Sequence, residues 1–102
     1  MARYSIRHTP AAADELQDAA DWYEKRDPRA ASRFVAAIKA KLRDIAAKPH
    51  QWPLDTDGTR AALLRKFPYT IVFRENRGAI EIIAYAHASR QTGYWKKRLS
   101  DS

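Results

Sequence analysis

The sequence has no cysteine, only three glycines and no long apolar run. Without cysteine the chain can form no disulfide and no cysteine-ligated zinc site, and it lacks a thiol nucleophile. The absence of cysteine also favours a reducing compartment. The scattered glycines cannot form the glycine-rich loop that binds phosphate groups. No segment approaches the roughly 20 apolar residues that span a bilayer, and no apolar run follows the first residues as in a signal peptide. We therefore expect a cytoplasmic protein.

Histidine is also scarce, and its distribution argues against a metal centre. His8, His50 and His87 are far apart, and no two of them have the spacing of a metal-binding motif. We therefore expect neither a metal nor a cofactor.

The length and composition are those of an ordinary globular protein. The chain has 102 residues, of which 45% are hydrophobic and 30% are charged, a balance that argues against disorder. Two domains would each be near the lower size limit for a stable core, so we expect one domain over residues 1–102.

Acidic residues are scarce in the second half of the chain. The net charge is +7, and residues 60–99 combine nine basic side chains with only two acidic ones, Glu75 and Glu81. Residues 1–59 are nearly neutral, with ten basic and nine acidic side chains. This asymmetry favours an acidic or polyanionic partner for the C-terminal half, and a solvated basic surface is the alternative interpretation.

Two amphipathic helices are predicted in the first half. The pairs Thr9-Pro10 and Asp27-Pro28 each combine a helix-capping residue with a proline that is tolerated at the first helical position. They predict helices over residues 10–25 and 28–47, joined as an antiparallel hairpin by a very short connection. Each helix has one apolar face, formed by Ala12, Leu16, Ala19 or Ala20 and Tyr23 in the first and by Ala31, Phe34, Ile38, Leu42 and Ile45 in the second.

Alternating patterns predict strands over residues 3–8, 60–67, 69–74 and 79–87. In the last strand the pattern assigns one face to Ile80, Ile82, Ala84 and Ala86 and the other face to Ile83, Tyr85 and His87. A short helical turn is predicted over residues 94–99. The resulting order, β-α-α-β-β-β, predicts an α+β fold with a helical hairpin on a small, mainly antiparallel sheet.

The acidic residues of the first helix are interpreted as a solvated face rather than as a carboxylate site, because helical spacing distributes them around the outer surface. They are Asp14, Glu15, Asp18, Asp21 and Glu24.

The last segment contains the residues best suited to chemistry. Cleavage of RNA without a metal needs a base, an acid and a cation at the phosphate. His87 or Tyr94 could transfer protons, and the cation could be supplied by Arg90, Arg65 or Arg74. The alternative is structural: His87 forms a hydrogen bond at the strand end, and Tyr94 and Trp95 anchor the tail on the sheet.

Over nearly its full length the chain resembles toxins of the RelE/ParE superfamily, the toxic halves of bacterial type II toxin–antitoxin modules. The resemblance consists of an ordered set of residues: Trp22-Tyr23, Arg33-Phe34, Pro49, Arg60, Phe67-Pro68-Tyr69, His87-x-x-Arg90 and Tyr94-Trp95-x-x-Arg98. It implies the same fold, a bacterial cytoplasmic location and a cognate antitoxin with an acidic or amphipathic C-terminal tail, bound in a hetero-oligomer.

The superfamily divides by target. RelE-like members cut mRNA on the ribosome, whereas ParE-like members poison DNA gyrase, often in plasmid-stabilising modules. RelE-like enzymes place lysines on the first strand of the hairpin sheet, and here that strand, from Arg60, has an apolar middle. The resemblance therefore favours the ParE-like side, with the mRNA endoribonuclease and a non-toxic antitoxin-binding module as alternatives.

Each alternative has its own candidate residues. If the protein is a ribonuclease, the catalytic candidates are His87, Arg90 and Tyr94. If it is a gyrase-binding toxin, the target-binding candidates are Arg60, Arg65, Arg74, Arg90, Lys96, Lys97 and Arg98.

Overall fold

A computed structural model describes residues 3–101 of the chain. Its helices and strands follow in the order β1 (Ser5–His8), α1 (Pro10–Arg26), α2 (Pro28–Ala47), β2 (Arg60–Leu63), β3 (Tyr69–Asn76) and β4 (Ala79–His87). Short 3-10 turns occur at Pro49–Gln51 and Lys96–Asp101. The α+β prediction and the order β-α-α-β-β-β are confirmed.

The two helices form a tight hairpin because one residue both ends α1 and begins α2. The backbone N–H of Asp27 donates to the carbonyl of Tyr23 (2.7 Å), and its carboxylate accepts from the N–H of Arg29 (3.0 Å). At the start of α1, the Thr9 hydroxyl accepts from the N–H of Ala12 (3.1 Å). These are the capping arrangements that the two proline-containing pairs predict.

The four strands form one mixed sheet in the order β1-β4-β3-β2. β1 runs parallel to β4, while β4–β3 and β3–β2 are antiparallel. The helices cover one face of this sheet, where Phe34, Ile38 and Ile45 of α2 join the sheet residues Ile71 and Phe73 in the main core. None of the helices in residues 3–101 has the length and apolar character that crossing a bilayer requires.

Several element boundaries differ from the prediction. β1 begins at Ser5 rather than at residue 3, α1 ends at Arg26 rather than at residue 25, and β3 ends at Asn76 rather than at residue 74. β2 ends at Leu63 rather than at residue 67, and the chain turns instead, with the N–H of Tyr69 donating to the nearby Phe67 carbonyl (2.8 Å). Pro68 lies in this turn, where its missing N–H costs no ladder hydrogen bond. The C-terminal helical turn begins at Lys96 instead of at residue 94.

A β-bulge makes the predicted faces of β4 wrong beyond Ile82. Val72 pairs with Ala84 and Phe73 pairs with Ile82, so Ile83 is an extra residue in β4. An extra residue reverses the inward–outward alternation that follows it. Tyr85 therefore packs on the helix side with Ile80 and Ile82, whereas Ile83, Ala84 and Ala86 lie together in a second cluster with Val72.

The sheet face opposite the helices is covered by the segment that follows β4. We call this segment, residues 88–99, the C-terminal arm. Its side chains Tyr94, Trp95 and Leu99 pack on the second cluster, and no helix longer than a 3-10 turn lies in the arm. The two faces of the sheet are therefore covered by very different amounts of structure.

Candidate functional site

A single carboxylate of α1, that of Glu15, joins α1 to β4 and to the C-terminal arm. Its Oε1 accepts from Nη1 of Arg98 (3.0 Å) and from the backbone N–H of Tyr85 (3.1 Å). Its Oε2 accepts from Nη2 of Arg98 (3.0 Å) and from the hydroxyl of Tyr94 (2.6 Å). The Glu15 side chain is only 16% exposed and the Arg98 side chain 22%. A bidentate, charge-assisted pair of this kind is the strongest class of protein hydrogen bond.

The prediction of a solvated acidic face is wrong for Glu15. The other four acids of α1 are exposed: Asp14, Asp18, Asp21 and Glu24. Glu15 differs because it lies three residues after Ala12 and four before Ala19, both buried, so it shares their inward face. That spacing is the sequence signal that could have identified it.

The backbone of β4 explains why these side chains meet at this point. β1 pairs with β4 only as far as Ile82. Beyond it, the carbonyl of Ile83 accepts from Nη1 of Arg98 (2.9 Å), and the N–H of Tyr85 donates to Glu15. Arg98 and Glu15 therefore bind backbone groups of β4 that lie past the end of β1, where unpaired groups would be costly.

The ionisation states of the cluster follow from its contacts. Burial raises the pKa of Glu15, but hydrogen bonds from Arg98, Tyr94 and the Tyr85 backbone outweigh it, so the net pKa is lowered. The hydrogen bond to Glu15 raises the pKa of Arg98. Burial, together with Glu15, raises the pKa of Tyr94 to about 12. At neutral pH the cluster therefore contains an ionised carboxylate, a guanidinium and a neutral phenol.

Arg90 extends the cluster toward solvent. Its guanidinium carbon lies 3.9 Å from the centroid of the Tyr94 ring, and that of Arg98 lies 5.1 Å from the same centroid. Nη1 of Arg90 is 3.9 Å from Oε2 of Glu15, but the Arg90 side chain is 54% exposed. Arg90 thus makes a cation–π contact with the arm while its charge stays accessible.

A cleft of about 510 Å³ lies between α1 and the end of the sheet, beside this cluster. Asp18 and Trp22 line it from α1, and Tyr69, His87 and Arg90 line it from the sheet side. Nδ1 of His87 accepts from the backbone N–H of Ser89 (3.0 Å) and contacts the Ser89 hydroxyl (2.8 Å). This is the strand-end hydrogen bond that the structural alternative predicts for His87.

The candidate site residues separate into two groups. Three of them form hydrogen bonds with other groups of the protein. Arg98 donates to Glu15, and Arg60 donates to the Trp52 carbonyl. Arg74 donates to Glu81 (2.9 Å) and to the Leu99 carbonyl (3.5 Å). The exposed ones are Arg65, Arg90, Lys96 and Lys97.

The three catalytic candidates have different surroundings. His87 and Arg90 reach the cleft, whereas the Tyr94 hydroxyl is bound to Glu15. In the described part of the chain, no three His, Asp or Glu side chains are grouped so that they could hold a metal ion.

Comparisons with known proteins agree on the class of the chain. Residues 6–92 match the family model described as "ParE toxin of type II toxin-antitoxin system, parDE". A relative from Sinorhizobium fredii, named "Putative toxin Y4kP", is 36% identical over 92 residues, which cover 89% of this chain and 95% of the relative.

A solved structure has the same fold. The chain described as "Chromosomal ParDE TA system from P. aeruginosa" superposes with a TM-score of 0.73 at 23% identity, over 85% of this chain and 98% of its own length. The family match ends at residue 92, so Tyr94 and Arg98, which contact Glu15, lie beyond the matched region.

Proposed function

Because the chain belongs to the ParE toxin family of type II toxin–antitoxin systems, we propose that it inhibits DNA gyrase through the exposed cations of its C-terminal arm. As a toxin of such a system it has an antitoxin partner. The proposed activity requires the bacterial cytoplasm, because gyrase acts there. A role in plasmid stabilisation is part of the same proposal.

One observation carries the proposal: the arm packs on the sheet with its apolar side and leaves three of its four cations exposed. Tyr94, Trp95 and Leu99 pack inward, while Arg90, Lys96 and Lys97 are exposed. The Glu15 carboxylate, which contacts the arm, is already bound to Arg98. The outer surface of the arm therefore keeps a positive potential that would attract an acidic protein surface or DNA.

The state of Tyr94 favours binding over RNA cleavage. A general acid or base works best when its pKa is near the operating pH. The pKa of Tyr94 is about 12, and its hydroxyl donates to Glu15, so it is poorly suited to transfer a proton at neutral pH. The catalytic roles of His87, Arg90 and Tyr94 remain predictions of the ribonuclease alternative.

A supercoiling assay with purified gyrase tests the proposal. We expect the wild-type protein to inhibit gyrase and the triple variant Arg90→Gln/Lys96→Gln/Lys97→Gln to be at least about tenfold weaker, because rim charges set association with a charged partner. The matched control, Arg33→Gln/Lys39→Gln/Arg43→Gln, removes three exposed cations from α2 and should inhibit like the wild type.

Two other results would contradict the proposal. A folded triple variant that inhibits fully would exclude the arm as the contact surface. A wild-type protein that arrests growth without inhibiting gyrase would exclude this target. Primer extension on mRNA in a translating extract would then test the ribonuclease alternative, for which codon-phased, ribosome-dependent cuts are expected.

The antitoxin is proposed to bind with an acidic or amphipathic C-terminal tail, because the chain has a net charge of +7. Co-expression with the neighbouring gene product should restore growth and yield a stable hetero-oligomer. If expression of the wild-type protein alone causes no growth defect, the protein is a non-toxic antitoxin-binding module instead.

A further inference from the structure

We propose that Glu15 is a positioning residue for target binding: it holds the C-terminal arm in the conformation that presents Arg90, Lys96 and Lys97. The proposal rests on the proposed function for the identity of the target. It adds a residue of α1, far from the arm in sequence, to those on which toxicity depends.

The arm has few other polar ties to the rest of the protein. From Arg90 onward its backbone–backbone hydrogen bonds include those from Tyr94 to Gln91 (3.2 Å) and from Arg98 to Trp95 (2.9 Å), which each span three residues. Other elements are reached by the N–H of Ala88, which donates to the Pro68 carbonyl (2.8 Å), and by the Leu99 carbonyl, which accepts from Nη1 of Arg74 (3.5 Å). Trp95 is packed on the sheet, but its indole Nε1 has no hydrogen-bond partner. The strongest contacts that connect the arm to α1 and β4 are therefore those of the Glu15–Arg98 pair.

Glu15 fixes the arm on both sides of Trp95. On the N-terminal side of Trp95, Glu15 accepts from the Tyr94 hydroxyl. The guanidinium carbon of Arg90 in turn lies 3.9 Å from the centroid of the Tyr94 ring. On the C-terminal side of Trp95, Glu15 accepts from both terminal nitrogens of Arg98, the residue that directly follows Lys96 and Lys97. One carboxylate thus orients the cations at both ends of the arm.

The chemistry of the cluster requires a carboxylate. All of the groups bound to Glu15 are donors: two guanidinium nitrogens, a phenol and a backbone N–H. A glutamine in this place would have one acceptor oxygen, and in either orientation its NH₂ group would face a guanidinium nitrogen of Arg98, which cannot accept a hydrogen bond. Glu15→Gln therefore removes the ion pair and half of the acceptor capacity while changing the side-chain volume very little.

The test compares Glu15→Gln with Glu24→Gln, the same chemical change at an exposed position of α1. Hydrogen exchange of the arm and inhibition of gyrase are measured on the same preparations. For Glu15→Gln we expect arm amides to exchange about 10- to 100-fold faster, the effect of losing charge-assisted hydrogen bonds, with exchange in β3 unchanged. Inhibition should weaken about tenfold or more, whereas Glu24→Gln should match the wild type in both measurements.

Two results would overturn the proposal: unchanged exchange of the arm in Glu15→Gln, or faster exchange with full inhibition. The first would mean that packing alone holds the arm, and the second that its conformation is irrelevant to the target. A wild-type protein that fails to inhibit gyrase overturns the proposed function instead, and in that case growth arrest replaces gyrase inhibition as the second measurement.

If Glu15→Gln does not fold, Arg98→Gln and Tyr94→Phe give the same test from the side of the arm. Arg98→Gln removes the ion pair, and Tyr94→Phe removes only the hydroxyl that donates to Glu15 (2.6 Å). Both variants should increase exchange of the arm and weaken inhibition, Arg98→Gln more than Tyr94→Phe. Wild-type exchange in both would contradict the proposal.

Discussion

The two faces of the sheet are covered in different ways. On the helix side, buried residues of α1, α2 and three strands form one core. In this core the centroid of the Phe34 ring lies 5.0 to 5.5 Å from the ring centroids of Tyr23, Phe67 and Tyr69. On the opposite face, four buried residues, Val72, Ile83, Ala84 and Ala86, are covered by three partly buried side chains of the C-terminal arm.

The two faces differ in how the contacts that stabilise them are distributed. The helix face is stabilised by many apolar contacts, so no single polar group determines it. The arm has a small apolar base, and one carboxylate, that of Glu15, accepts hydrogen bonds from two of its side chains. A surface held in this second way can be released locally while the rest of the fold stays intact. The following changes test that difference, from the largest expected effect to the smallest.

Phe34→Ala should destabilise the whole protein. Phe34 is fully buried, and truncation of a buried phenylalanine costs about 3–5 kcal/mol through lost contacts and the cavity left behind. Urea unfolding should show this loss, and amide exchange should increase in every strand. An increase confined to α2 would contradict the idea of one cooperative core on the helix side.

Trp95→Ala should act on the arm alone. The side chain is only partly buried and forms no indole hydrogen bond, so we expect a loss of about 1–2 kcal/mol from apolar burial. Amide exchange should increase in residues 88–99 and stay unchanged in β3. Trp22→Ala is the matched control, because Trp22 is 50% exposed and its loss should leave exchange of the arm unaltered.

Acid should release the arm before the core unfolds. The pKa of Glu15 is lowered in the folded protein. Its ionised form therefore stabilises the arm above the unfolded-state pKa, near 4.5, and this contribution is lost as the pH falls through the lower folded pKa. The charged groups that face Glu15 are the guanidinium groups of Arg98 and Arg90.

The indole proton signal of Trp95, followed by NMR from pH 7 downward, measures this release. A second carboxyl close to the arm, that of Asp57, also has a lowered pKa. Burial raises this pKa, but hydrogen bonds with Thr59 and the charge of Lys96 outweigh burial. Glu15→Gln and Asp57→Asn separate the two carboxyls, because the transition should disappear only in Glu15→Gln. A transition that persists in Glu15→Gln would contradict the assignment.

Lys96→Gln/Lys97→Gln should have the smallest effect on stability. Both residues are exposed, and such surface substitutions usually change the free energy of unfolding by less than about 0.5 kcal/mol. Gyrase inhibition should nevertheless weaken, and its dependence on salt concentration should decrease, because two charges are removed from the contact surface. Inhibition with an unaltered salt dependence would argue against these two lysines as contacts.

Much of the fold could be predicted from the sequence because its signals are local. Capping residues followed by proline mark both helix starts, and helical spacing identifies Phe34, Ile38 and Ile45 as core residues. The predicted order of elements is confirmed on this basis, and so is the family, through residues distributed along the chain. The charge asymmetry is likewise a property of composition.

The candidate site could be predicted only in part. The basic residues of the arm are visible in the sequence, but the division between exposed Lys96 and Lys97 and the bound Arg98 is not, because all three are adjacent cations. The bulge at Ile83 was also invisible. It depends on how β4 pairs with β3, and the alternation within β4 alone predicted the wrong faces.

Local sequence patterns and composition are enough to predict the helices, the order of the strands and the excess of positive charge, since each depends on neighbouring residues or on composition. The place of Glu15 in the site is visible only in the folded chain. Glu15 and Arg98 are 83 positions apart, and they meet because β1 ends early and the arm turns back across the sheet. Local periodicity contains no information about such a contact, because it depends on the packing of elements that are remote in the chain.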